Sequence, residues 1–176
     1  MPGDRVALIL PSGRAMACFL LAVMASYIVV PLSVSAPVQT LAEALSRSEV
    51  RCVVGGTKAI TVAAAASLPV VSVGPGLQHE DLPRGSAPRI WMAMESTCLL
   101  LQTSGTTAVP KIVPFTFMRL WESGTALADS MALTTDDTGL GCMPLHHVGG
   151  IVCNLFATLA AGLLILTPPS LGLPVL

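Results

Sequence analysis

The chain has 176 residues, of which 53% are hydrophobic and 11% charged, with a formal net charge of -1. That length holds one domain with a true core, but an average soluble domain carries about 25% charged residues, so this chain is buried on many sides, embedded in a membrane, or part of something larger. It has no basic run and only 4% aromatics, which excludes the electrostatic footprint and the stacking platforms of a nucleic-acid binder.

In chain order, "RVALIL" (5–10) predicts a strand, and Ser12 is placed to cap a helix over 13–26. "YIVVPL" (27–32) is aromatic and β-branched, a strand that Pro31 ends. Residues 38–48 predict a helix with Leu41 and Leu45 one turn apart. The buried strand "RCVVGG", an alanine-rich helix over 57–67 and the strand "LPVVSV" follow. Residues 74–95 are rich in Gly, Pro and charge, the composition of a surface loop. "TCLLLQ" (97–102) is a strand, "KIVPF" (111–115) a short extended piece, and 116–133 a helix with Leu120, Leu127 and Met131 on one face. "TGLGCMP" (138–144) reads as a strand. After it come a helix in "CNLFATLAA", a stop at Gly162 and a strand in "LLILT".

Two apolar stretches, 15–32 and 148–169, approach the roughly 20 residues of a membrane span. Each changes texture midway from helix formers to β-branched residues, and neither has the Lys/Arg asymmetry of a span's flanks. Apolar strands alternating with helices predict an α/β fold, a mostly parallel sheet with helices on both faces. The five cysteines include no CxxC pair and sit mostly in apolar runs, which reads as buried reduced thiols. No signal peptide precedes "PGDRVALIL", so a cytoplasmic location is expected. No charged residue occurs from Thr138 to Leu176, so the chain looks interrupted, and an exposed sheet edge is expected to favour association.

The chemistry is concentrated in "TSGTTAVPK", residues 103–111. It follows a buried strand, and open α/β sheets bind ligands at strand carboxyl ends. Gly105 permits a sharp turn and close backbone approach. Successive N–H groups form an anion nest, to which Thr103, Ser104, Thr106 and Thr107 add hydroxyls. Lys111 adds a point charge suited to phosphate, and Pro110 stiffens the chain before it. The plain alternative is a Ser/Thr-rich turn with a solvated lysine.

The whole string resembles the signature loop T-S-G-T-T-G-x-P-K-G of the adenylate-forming superfamily, the AMP-dependent synthetases and ligases. Thr103, Ser104, Gly105, Thr106, Thr107, Pro110 and Lys111 match; Ala108 and Ile112 stand where the family has glycines, and Phe117 where a histidine is common. If position 108 needs a positive φ, an alanine there costs about 1 kcal/mol or more. Residues 3–35 resemble the family's opening strand, helix and strand. "MPLHHVGG" (143–150) resembles its second core motif, with His147 at the histidine position and His146 where an aromatic is usual.

The resemblance implies ATP-dependent activation of a small-molecule carboxylate to an acyl-adenylate, then transfer to a thiol, coenzyme A or pantetheine. Thr103, Ser104, Gly105, Thr106, Thr107 and Lys111 would hold the ATP phosphates. His147, Gly149 and Gly150 would border the acyl pocket, the glycines as a turn, and magnesium (Mg2+) is expected with the triphosphate. The family's adenine, ribose, hinge and C-terminal lysine segments are not found after residue 150. Residues 1–176 are therefore expected to be a partial N-terminal domain of the adenylate-forming fold, catalytically incomplete by themselves. Two other readings stay open: a non-catalytic nucleotide- or partner-binding remnant, and a small membrane protein.

Overall fold

Both apolar stretches long enough to suggest a span break where their residue texture changes. In the computed structural model, which describes residues 3–74, 91–103 and 110–166, the first becomes helix α1 (Arg14–Met24) followed by strand β2 (Ile28–Pro31). The second becomes a π-helical stretch (Gly150–Phe156) running into α5 (Ala157–Ala161). That helix is stopped by Gly162 at φ 69, and strand β8 (Leu164–Leu166) follows. No helix among the described residues is long and apolar enough to cross a membrane.

The other elements follow the expected alternation. They are β1 (Arg5–Ile9), α2 (Val38–Arg47), β3 (Cys52–Gly55), α3 (Thr57–Ala65), β4 (Val70–Ser72), β5 (Thr97–Gln102), β6 (Ile112–Thr116), α4 (Phe117–Ser130) and β7 (Thr138–Leu140). Six strands make one sheet in the order β4-β3-β1-β2-β5-β6. All neighbours are parallel except β6, which runs antiparallel to β5. As an outer strand, β6 tolerates Pro114, which is exposed there. Strands β7 and β8 pair in a separate two-stranded parallel sheet, a division the linear pattern of strands did not announce.

Burial on both faces explains the unbroken apolar strands. Along β1, Val6 and Leu8 face one core with Met16, Leu20 and Met24 of α1, while Ala7 and Ile9 face the other with Leu41 and Leu45 of α2. Along β5, Leu99 and Leu101 take the first core and Leu100 the second. Fully burying such side chains stabilises by about 1.5–3 kcal/mol each before chain entropy is counted.

Pro31 has a consequence for the sheet. Alternate residues of a strand aim their N–H groups to opposite sides, and Leu32 N donates to Leu8 O of β1. Residue 31 therefore faces β5, and a proline has no N–H to give. The β2–β5 pairing is accordingly limited to Val29 with Leu99.

Three expectations need correction. Ser12 does not cap α1: Gly13 holds that position with no side-chain cap, because the Ser12 hydroxyl accepts from Leu145 N at 3.1 Å instead. In α4 the buried stripe is Leu120, Gly124 and Ala128, and Met131 lies past the helix at 61% exposure. Of the cysteines, all free, only Cys98 is buried, whereas Cys18 and Cys142 are exposed. Burial pushes the Cys98 thiol up to about 11, leaving it inert. The 74–95 loop expectation falls largely on residues outside those described; Trp91 to Ala93 have no regular structure, and Met92 N donates to Ala25 O at 2.9 Å.

Candidate phosphate-binding site

Strands β5 and β6 form a hairpin, with Gln102 opposite Ile112. Residues 103–111 are therefore its connection, at the carboxyl end of a strand in a parallel sheet. Thr103 N donates to Lys111 O at 2.9 Å, which draws the two ends of the connection together. Thr103 and Lys111 are exposed and Pro110 is half-buried. Among the described residues Lys111 has no carboxylate partner, so its charge is available to an anion. Ser104, Gly105, Thr106 and Thr107, with Ala108 and Val109, lie outside the described residues. Phe117, where the resembled family often has histidine, packs inward instead, its ring edge-on to Phe156 at 5.4 Å.

The second motif reaches the same edge of the sheet. Leu145 N donates to Ser12 Oγ, just past the end of β1. Asn154 Nδ2 donates to Met143 O at 3.2 Å, and His147 N to Pro144 O at 3.1 Å. Two strands of one parallel array thus carry these segments outward, with β2 between them. The glycine pair is not the expected turn. Gly149 is helical at φ -58, and Gly150 begins the π-helical stretch packed onto the Pro144 carbonyl. His147 is exposed, and Gly149 is half-buried and Gly150 buried.

A small hollow opens where these parts meet, lined by Ser12, Gly13, Met143, Leu145 and Asn154 among others. A larger one lies beside β7, against Met131, Leu140, Cys153 and Leu163. Neither is lined by Thr103, Lys111 or the histidines. Among the described residues the site consists of strand ends and exposed donors. Sequence reading missed Gln102, Asn154 and the tie made by Ser12. The available signal for the first two was a single amide at the end of, or inside, an apolar run.

The His146 and His147 rings lie 4.3 Å apart. Burial, then the charge of His147, lowers the half-buried His146 to about 4. Its folded value lies below the unfolded one, so its full contribution is present above about pH 6.5 and is lost as the pH falls toward 4. Allowing for solvent screening of a half-buried ring, the loss is about 1–2 kcal/mol. Thermal melts at pH 7 and pH 5 should show a larger drop for the wild type than for His146→Phe. Equal drops would remove His146 as the source.

Among the described residues no three His, Cys, Asp or Glu side chains gather to hold a metal.

The chain matches the AMP-binding enzyme family over residues 1–173 and belongs to it. It is 32% identical over 171 residues to sulfoacetate--CoA ligase of Cupriavidus necator, covering 91% of this chain and 34% of that protein. Over a shorter span of 59 residues it is 39% identical to 2-succinylbenzoate--CoA ligase of Bacillus mycoides, covering 34% of this chain and 12% of that protein. Apo MatB of Rhodopseudomonas palustris superposes with a TM-score of 0.81 at 23% identity, over 95% of this chain and 35% of its own. At that identity the likeness shows the fold. The chain spans about a third of the length of the sulfoacetate ligase and of MatB.

Proposed function

We propose that this chain supplies the polyphosphate-holding hairpin and part of the acyl-side wall of a carboxylate–CoA ligase. In this reading Thr103, Ser104, Gly105, Thr106, Thr107 and Lys111 hold the β- and γ-phosphates of ATP through backbone amides, hydroxyls and one ammonium. His147, with Gly149 and Gly150, borders the path of a small carboxylate. ATP, when bound, supplies the phosphoryl centre that a carboxylate attacks and the pyrophosphate that leaves; coenzyme A or pantetheine is the thiol acceptor. The protein's share is positioning and charge complementarity. Residues 1–176 act as the first part of the AMP-binding domain.

The observation that carries this reading is the Thr103–Lys111 backbone bond at the carboxyl edge of the parallel sheet. It puts a lysine with no carboxylate partner among the described residues, and a hydroxyl-rich connection, at the edge where α/β sheets bind ligands. Titrating ATP or tripolyphosphate into the chain should give saturable binding, weakened about tenfold in Lys111→Ala, the scale of one charge-assisted contact. Equal binding by the two proteins would overturn the assignment.

The outer strand β4 exposes Val70 and Val71, at 37% and 52%, beside an edge with no further strand among the described residues. Self-association through that edge follows from its exposed apolar side chains and a backbone unpaired among the described residues. Val71→Lys should shift light scattering toward the monomer mass, and an unchanged mass would exclude this edge.

A further inference from the structure

We propose that Gln102 is a positioning residue whose side-chain amide fastens the stem of the phosphate hairpin to α2; this deepens the phosphate-site reading above and rests on it. Gln102 is the last residue of β5 and precedes Thr103, whose N–H closes the hairpin onto Lys111. On the β2 side the backbone ladder stops at Val29–Leu99, and Pro31 brings no N–H to the carboxyl half of β5. On that side, the strand that carries the hairpin has little backbone attachment near its end.

The Gln102 side chain makes up for this. Its Nε2 donates to Ala44 O at 3.1 Å and to Ser48 Oγ at 3.0 Å, and its Oε1 accepts from an Arg47 guanidinium nitrogen at 3.3 Å. The amide orientation is fixed by its partners, since a carbonyl only accepts and a guanidinium only donates. A primary amide is the uncharged side-chain group that gives two hydrogens and takes one from a single planar end, and asparagine is one methylene shorter. Ser48 is fully buried, and its carbonyl in turn accepts from Arg5 at 3.0 Å, the arginine that pairs with Glu49 at 2.8 Å. The hairpin stem is thus tied through the end of α2 to β1.

Hydrogen exchange at the Thr103 amide tests the fastening directly. In the near-isosteric Gln102→Met, exchange at Thr103 should accelerate about tenfold or more, the effect expected from losing its part-buried hydrogen bonds, while amides of β1 stay as protected as in the wild type. Ser48→Ala should accelerate it less, and adding Ser48→Ala to Gln102→Met should add nothing, because the shared bond is already gone. Thr103 exchange within twofold of wild type in Gln102→Met, with β1 intact, would overturn the proposal. Should that variant not fold, Ser48→Ala and Arg47→Met carry the same reading, and unchanged Thr103 exchange in both overturns it.

Tripolyphosphate titration separates this proposal from the phosphate reading. Binding about tenfold weaker in Gln102→Met than in the wild type supports a positioning role. Equal binding overturns that role. No binding by the wild type fells the phosphate reading, while Thr103 exchange still decides whether Gln102 fastens the stem.

Discussion

Gly150→Ala should lower stability by about 2 kcal/mol even though alanine is the better helix former by about 1 kcal/mol. An added Cβ would collide with the Pro144 carbonyl oxygen and stand 2.7 Å from Pro144 C and 3.0 Å from Met143 O. These are backbone atoms, so no side chain can swing aside. The segment that carries them is itself fastened, by Leu145 N to Ser12 and by Asn154 to Met143 O. For a chain of this size the loss corresponds to a melting temperature about 4–8 °C lower. Gly149→Ala is the matched control. Its nearest neighbour is the flexible Met143 side chain at 3.5 Å and its backbone is already helical, so it should melt at or slightly above wild type. Similar shifts for the two variants would mean that the helix does not pack on Pro144 as described.

Phe156→Ala should cost about 3–5 kcal/mol, a large part of the 5–15 kcal/mol that holds most domains together. Phe156 has no exposed surface and its ring meets Phe117 edge-on at 5.4 Å. It lies where α4 comes so close that a Cβ on Gly124 would sit 2.7 Å from the Phe156 Cβ. Removing the ring leaves a cavity between two helices whose backbones already touch, with little room to collapse further. Denaturant unfolding should show the midpoint falling while the slope holds, and Phe156→Leu should recover most of the loss. A midpoint near wild type for the alanine variant would show that this contact adds little.

Much of the fold was legible because its strands are buried on both faces. Unbroken runs such as "RVALI" and "TCLLLQ" suit little else when helices alternate with them, and β5 matches the expected 97–102 residue for residue. Helix ends were read too long for one physical reason. Helices α2, α3 and α4 end with Glu49, Ser67 and Ala132 in the left-handed region, at φ 49, 54 and 50, where glycine is the usual signal. The bonds Val50 N to Leu45 O, Leu68 N to Ala63 O and Leu133 N to Ala128 O close those ends, but nothing in residue type marks them. Gly162 does mark its helix, and that stop was read correctly.

The site was legible as a motif and not as geometry. "TSGTTAVPK" identified the loop, but a run of letters cannot say that Thr103 and Lys111 bond to each other or that β6 turns back antiparallel. Ser12 was read as a cap because a hydroxyl before a helix usually is one; its actual partner, Leu145, lies 133 residues away, beyond any local pattern. Gln102 looked like the end of an apolar run until its three partners on and just past α2 appeared.

The most direct measurement is the phosphorus-31 spectrum of ATP titrated with this chain. If residues 103–111 cradle the terminal phosphates, the β- and γ-phosphorus resonances should shift or broaden well ahead of the α resonance, and the response should largely vanish with Lys111→Ala. Resonances untouched by the wild-type chain, or an identical response from the Lys111→Ala variant, would contradict a phosphate site at this hairpin.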